Sequence, residues 1–509
     1  MYNSWFTMFG FDQNPYDTRA LEKETGVALL YGRETEITNV IDTLNSSTKI
    51  PLLIGVNGVG KTSIANVAVY RIIENGKTNH QTFLSLTFNA IESSDSSNYT
   101  AFRNSVYRQI LLKLLDEEEL LRDCGIEKKQ IKTVKYYFKE LFQMGFGATA
   151  FGFGLNFSYN TNPLAESNLI RITNEWLQAC FAGTKKGGII CILDNLENIG
   201  TASKVRRFLE EARDTYFNIP GLHWILCGTS TALEGALSSS ILDGYLLPLE
   251  IQPTQIKDVK DLIQHRITKC KGASEVLPPV DSNMFSWLYN EMNMKLRTTL
   301  SLCEEFSEHL FQHIQWQSKD RKDEFEKWLN QRSAELPEQE YEVQEDAWKL
   351  FDGITMICDD DIHSSDHMIY NISVEERFIQ QCDILVKKRL LDRIDTDDSP
   401  VYRVTKNGWL VHYRRKRTQT NERFLTGTSE IIKTSSGNIA KYSLKNGKLN
   451  DRDYNNVLSH MQEGGLCILP SDSSYTLTGI PSIPGVTEAI DFLLQRNGEK
   501  MSLAFNNIT

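Results

Sequence analysis

Pro51-Leu52-Leu53-Ile54-Gly55-Val56-Asn57-Gly58-Val59-Gly60-Lys61-Thr62 is an apolar strand running into Gly-x-x-x-x-Gly-Lys-Thr, and the helical run SIANVAVYRII follows from Ser63. The pattern predicts a phosphate-binding loop in the strand–loop–helix setting that its chemistry requires. Glycines allow backbone N–H groups to turn inward around a β-phosphate, a lysine at position 61 reaches the β- and γ-phosphates, and a hydroxyl at position 62 ligates Mg²⁺. A helix opening at Lys61 directs its positive dipole end to the same point. Gly55, Asn57, Gly58, Gly60, Lys61, Thr62 and Ser63 are therefore the candidate contacts to ATP, and ATP and Mg²⁺ are the expected cofactors.

Such a site needs a second strand ending in an acid, and Gly187–Glu197 (GGIICILDNLE) supplies one. Asp194 is placed to hold the metal with Thr62, and a nearby second carboxylate orients the attacking water. The residue after Asp194 is Asn195, so the nearest glutamate for that task is Glu197; the alternative for Glu197 is a solvated residue at a helix start. A third apolar strand, from Leu222, ends at Thr229 and Ser230, polar residues suited to the γ-phosphate or the water. In open α/β sheets ligands gather at the carboxyl ends of strands, so all three strand ends are expected on one edge.

The 509 residues are long enough for three or four domains, and an apolar content of 40% is that of a globular chain. A net charge of −11 argues against a protein coated in nucleic acid, although a local basic face remains open. Nine cysteines include no C-x-x-C pair, so neither a zinc ribbon nor a disulfide framework is indicated. The N-terminus has no basic region followed by an apolar core, and no apolar run reaches membrane-spanning length. A reduced, cytoplasmic protein without a membrane partner is expected.

Tyr31-Gly32-Arg33-Glu34 opens an amphipathic helix ahead of the loop, and IQPTQIKDVKDLIQHRI followed by MKLRTTLSLCEEFSEHL comes after the last strand at Tyr245–Ile251. With a long gap before Asp194, residues 29–316 resemble the STAND and origin-recognition-type branches of the AAA+ ATPases. The resemblance implies an ATPase core over 29–250 behind an N-terminal segment 1–28, and a helical lid over 251–316. It also implies a γ-phosphate contact from Arg297, whose alternative is a solvated helix arginine.

Residues 92–186 are more chain than one crossover helix uses, so an insertion is expected there. Within it, Gly145–Tyr159 (GFGATAFGFGLNFSY) alternates small and aromatic residues and predicts a glycine-rich hairpin near 145–160. That hairpin carries no Lys or Arg, which favours a subunit or partner contact over nucleic acid. Gly145-x-Gly147-x-x-Ala150 follows a helix, so it is not a dinucleotide fingerprint.

Residues 317–345 are strongly charged and are expected to form a solvated helix and linker. Cys358–His367 mixes hard and soft ligands at no familiar metal spacing and is expected to be an exposed acidic loop. ERFIQQCDILVKKRLLDRID, the turn TDDSP and VYRVTKNGWLVHYRRKR resemble a winged helix over 346–418. Lys387, Lys388 and Arg389 on its helix, with Arg414 and Arg415 in a basic tail, are the candidate DNA contacts; winged helices also dock proteins.

Residues 419–509 resemble the opening half of the YrdC/TsaC family, which makes threonylcarbamoyl-adenylate. The resemblance rests on Gly464-Gly465, a strand into Pro470-Ser471-Asp472-Ser473-x-Tyr475, and Arg496…Lys500-x-Ser502. It implies a polar pocket from Ser471, Ser473, Tyr475, Arg496, Lys500 and Ser502. Leu494 stands where that family has a lysine, so recognition is expected in place of catalysis.

The expected fold class is α/β: a P-loop NTPase sheet with a helical lid, a winged-helix domain and a small C-terminal α/β segment. The expected function is that of a slow, regulatory ATPase switch, a homo-oligomer working with a separately encoded effector, by analogy with bacterial antiphage ATPases. A DNA-bound initiator or transposition-type ATPase, and a threonylcarbamoyl-adenylate ligase, are the open alternatives.

Overall fold

Five parallel strands form the central sheet in a computed structural model of the chain: β1 (Ile50–Ile54), β2 (Thr82–Asn89), β3 (Gly187–Asp194), β4 (Leu222–Gly228) and β5 (Leu246–Glu250). Their order is β2-β3-β4-β1-β5, with every neighbouring pair parallel. The structure describes residues 4–46, 48–89, 96–143, 163–181, 187–272, 276–313, 321–334, 345–357, 362–394, 400–426, 430–434, 437–441, 466–470 and 475–478. The chain divides into two compact units, Met1–Leu410 and Val411–Thr509.

The near-continuous apolar runs of β1, β3 and β4 are what a sheet covered on both faces requires. Successive side chains of β3 alternate between two cores: Ile190 and Ile192 join one, Ile189, Cys191 and Leu193 the other. The first core adds Leu53, Ile225 and Cys227 to Ile37 and Val40 of helix Glu34–Ser46 and to Ile64 and Ala68 of helix Lys61–Thr78. Opposite, Leu52, Trp224 and Leu226 meet Ile110, Leu177 and Leu209, which come from helices Ser96–Asp116, Pro163–Phe181 and Ala202–Ala212. The helices on both faces leave the strand ends as the open edge.

After β5 come the helices Ile256–Lys269, Ser282–Glu291 and Leu296–His313, where a helical lid was expected. Asp281 caps the second of them, its carboxylate accepting from the backbone N–H groups of Asn283 and Met284. Among the described residues, the insertion before β3 contains four helices, Ser96–Asp116, Glu118–Asp123, Lys128–Gln143 and Pro163–Phe181. The hairpin expected at Gly145–Tyr159 lies outside the described residues.

In the charged stretch 317–345, expected to form a solvated helix and linker, the described residues 321–334 form a helix, but one that is packed on one side. Its helix Arg321–Ala334 buries Phe325, Trp328 and Leu329, and the Phe325 and Trp328 rings lie 4.6 and 5.4 Å from that of Phe306. Those three residues recur at the spacing of one helical face, a signal that the many charges outweigh in composition but not in packing.

Beyond it, helix Glu345–Ile357, β6 (Ile362–His363), a 3₁₀ turn at Ser364–Met368 and helix Glu375–Lys387 lead to the hairpin of β7 (Leu391–Ile394) and β8 (Val401–Val404). The three strands form an antiparallel sheet in the order β6-β8-β7. Two details differ from the expected basic helix and tail. Only Lys387 lies within the helix: Lys388 caps it, and Arg389 takes φ 58° where the chain reverses into β7. Arg414 and Arg415 belong to a helix, Lys406–Thr426, which begins two residues after β8. Cys358–Asp361 lie outside the described residues, and among the described residues no three His, Cys, Asp or Glu side chains gather as metal ligands.

In the second unit, β9 (Glu430–Thr434), β10 (Gly437–Lys441), β11 (Leu466–Pro470) and β12 (Tyr475–Thr478) form a sheet in the order β12-β11-β10-β9. The β9–β10 and β11–β12 pairs are antiparallel, and β10–β11 is parallel. Tyr475 opens β12; Ser471, Ser473, Arg496, Lys500 and Ser502 lie outside the described residues. Among the described residues no helix is long and apolar enough to cross a membrane.

Candidate nucleotide site

Gly58 (φ 79°) and Gly60 (φ 106°) put the loop after β1 through backbone conformations that side chains with a Cβ rarely adopt. This tight course folds the loop over the start of helix Lys61–Thr78. Lys61 is only 6% exposed, and its ammonium donates to the carbonyls of Gly55 at 2.8 Å and Val56 at 3.2 Å. Its charge is thereby held inside the loop. The Thr62 hydroxyl donates to Asp194 Oδ2 at 2.7 Å, while Asp194 Oδ1 accepts from the Asn195 N–H at 2.9 Å. A hydroxyl and a carboxylate in contact form a hard oxygen pair of the kind Mg²⁺ takes.

The sheet order explains why these groups meet. β4 lies between β3 and β1, so the ends of those two strands flank Gly228 and Thr229. Thr229 is buried as the residue preceding helix Ser230–Leu237. Glu197 is buried too, on the 3₁₀ turn Leu196–Ile199, and is therefore not the solvated residue that was its alternative. Burial pushes the Cys227 thiol well above its usual pKa, and the charges of Asp194, Lys61 and Glu197 all act on it, which marks how closely they surround this strand end.

A cleft runs from the loop toward the lid. Its wall includes Asn57–Ile64, Asp194 and Asn195, together with Arg297 and Leu300 of helix Leu296–His313. Arg297 passes directly beside the loop: a Cβ added to Gly58 would lie 3.1 Å from the Arg297 Cβ. Glu197 and Thr229 are not part of that wall, whereas Asn195 is.

The remaining wall was not anticipated from the sequence. Asp17–Leu21, Leu29–Tyr31 and Arg33 line the cleft together with Leu262 and Arg266 of helix Ile256–Lys269. The N-terminal segment is strapped to the lid at several points. Asn14 donates to Glu304 at 2.6 Å, the Tyr16 hydroxyl donates to the Val280 carbonyl at 2.5 Å and accepts from its N–H at 3.1 Å, and Arg266 donates to the Asp17 carbonyl at 2.8 Å. At its other end the Leu21 N–H donates to the Ser63 hydroxyl at 3.1 Å, so one segment touches both the helices after β5 and helix Lys61–Thr78. Burial raises the Tyr16 pKa well above the tyrosine range and lowers that of Arg266. Arg266 left one trace in the sequence, a basic residue four positions after Leu262 on the apolar face of its helix. For Asp17–Leu21 there was no such signal: its contacts to Arg266 and Ser63 are made by the Asp17 carbonyl and the Leu21 N–H.

No protein-family model matches the chain, and no curated protein does. Among solved structures, the Aeropyrum pernix Orc1 protein in complex with DNA is similar at 10% identity and a TM-score of 0.42, over 79% of this chain and 98% of that one. The Aeropyrum pernix Orc2 protein is similar at 11% identity and a TM-score of 0.39, over 81% and 98%. Cdc6p from Pyrobaculum aerophilum follows at 13% identity and a TM-score of 0.36, over 81% and 98%. Similarities at these levels assign no ligand or activity to this chain.

Proposed function

We propose that the chain is an ATP-dependent switch of the AAA+ type. One observation carries the reading: the glycine-rich loop, Thr62 with Asp194, the lid arginine Arg297 and the N-terminal strap all line one cleft. The strand order β2-β3-β4-β1-β5 agrees with it. ATP held between sheet and lid favours one setting of the lid, and ADP or no nucleotide another, provided the two settings differ in affinity. Thr62 and Asp194 would hold the accompanying Mg²⁺, which neutralises phosphate charge when bound. Lys61 from the loop and Arg297 from helix Leu296–His313 bind the phosphates, Asn195 or Glu197 orients the water, and the lid and strap exclude bulk solvent.

The reading calls for a homo-oligomer and a separately encoded effector as partners, and a role in antiphage defence is the setting that the architecture suggests by analogy. The module over 345–404 has the element order of a winged helix. Helix Glu375–Lys387 opens with exposed Glu375 and Glu376, preceded by exposed Val374. In such modules the N-terminal residues of the inserted helix meet the base edges. Two carboxylates there repel phosphate, which favours protein docking over the DNA-bound alternative. For residues 419–509 recognition remains the proposal; threonylcarbamoyl-adenylate detected by mass spectrometry after incubation with ATP, threonine and bicarbonate would replace it with the ligase.

Comparing the mass and amide hydrogen exchange of the full chain in ATP and in ADP tests the switch. Protection of the lid helices and of residues 10–30 is expected to differ between the two nucleotides, and to lose that difference in Lys61→Ala. Identical exchange in ATP, ADP and buffer would overturn the proposal.

A further inference from the structure

The strap and the lid meet at Arg266, whose environment is unusual for an arginine. The residue is 5% exposed, and an arginine keeps its charge in any protein setting. Its Nη2 donates to the Asp17 carbonyl at 2.8 Å, but its buried Nε has no hydrogen-bond partner among the described residues. Buried donors are rarely left without an acceptor, so each exception calls for an explanation such as a functional role or a water or ion that completes it. Arg266 borders this cleft.

Its position says which part of a ligand it meets. Lys61, Thr62 and Arg297 gather at the glycine-rich loop, where the phosphates bind under the proposed function. Arg266 instead sits against the strap, and Leu262, one helical turn earlier, lines the same cleft together with Leu29 and Leu30. Apolar walls beside one buried, charged donor suit a nucleobase, with an apolar face and acceptor atoms on its edge; a triphosphate would need several donors.

We propose that Arg266 is a specificity-determining residue that donates its Nε–H to an acceptor of the nucleoside end of ATP. With the same guanidinium it clamps the Asp17 carbonyl, so that the strap closes over an occupied site. The assignment rests on the nucleotide-binding reading above.

The test is the affinity of the full chain for Mg²⁺–ATP and for Mg²⁺–tripolyphosphate, which has the phosphates but no nucleoside, in the parent, Arg266→Ala and Arg266→Lys. Lysine can still donate to the Asp17 carbonyl but has no Nε–H, so it separates base reading from strap closure. Both variants are expected to bind ATP about tenfold or more weaker, as for loss of a hydrogen bond from a charged donor, and tripolyphosphate within about twofold of the parent. Unchanged tripolyphosphate affinity also shows that the variants are folded. Equal weakening for both ligands would make Arg266 a phosphate contact or a structural residue, and parent-like ATP binding by Arg266→Lys would reduce it to a strap clamp; either overturns the proposal. A parent chain that binds neither ligand would instead sink the nucleotide-binding reading itself.

Discussion

The hydroxyl of Thr62 and the carboxylate of Asp194 are 132 residues apart in sequence and in hydrogen-bond contact at 2.7 Å. That bond ties the first turn of helix Lys61–Thr78 to the end of β3 and presents two oxygens to the same point of the cleft. Thr62→Ala and Asp194→Asn are accordingly expected to keep ATP affinity largely intact while ATP hydrolysis falls about a hundredfold, the scale of losing a transition-state contact. Lys61→Ala is expected to lose tight binding itself. Fluorescent-nucleotide titration and phosphate release separate the two outcomes.

Under the proposed function the water is oriented either by Glu197, a buried carboxylate outside the cleft lining, or by Asn195, an amide within it. Glu197→Gln is expected to slow hydrolysis with ATP affinity unchanged. A variant that turns over at the parent rate would move the assignment to Asn195, and Asn195→Ala then becomes the slow enzyme.

Tyr16 both donates to and accepts from the backbone of Val280 in a fully buried setting. Tyr16→Phe leaves that carbonyl and N–H without their partner, at a cost of about 1–3 kcal/mol in denaturant unfolding. A pH signature accompanies it. The Tyr16 pKa is raised in the folded protein, so its contribution is complete below the ordinary tyrosine pKa of about 10 and is lost as pH rises above it. The stability gap between parent and Tyr16→Phe should therefore narrow in that alkaline range and stay flat below it.

Phe325 packs its ring 4.6 Å from that of Phe306 with no exposed surface. Phe325→Ala is expected to cost about 3–5 kcal/mol. A change within about 0.5 kcal/mol, typical of surface positions, would return helix Arg321–Ala334 to the role of a solvated linker.

If the 345–404 module docks protein, replacing Lys387, Lys388 and Arg389 with glutamate should leave any DNA affinity of the chain within about twofold at low salt. Steeply salt-dependent binding that this triple change abolishes would favour the DNA-bound reading, because phosphate contacts release counterions.

The glycine-rich loop after β1, the acid at the end of β3 and the helices after β5 were legible in the sequence because each rests on local signals: glycine spacing, apolar runs, an acid at a strand end. Arg297 was legible only through a family resemblance. The tertiary structure alone decided the order of the strands, which sets β4 between β1 and β3 and so brings Thr62 to Asp194. It alone decided that Glu197 is buried and that residues 17–21 wall the cleft, since backbone carbonyls and N–H groups leave no mark in residue identity. The helix Arg321–Ala334 shows the same limit from the other side: charge dominates its composition, but three apolar residues on one face determine where it packs. Local chemistry is written in residue types, whereas the convergence of distant segments on one cleft depends on which faces find each other in the folded core.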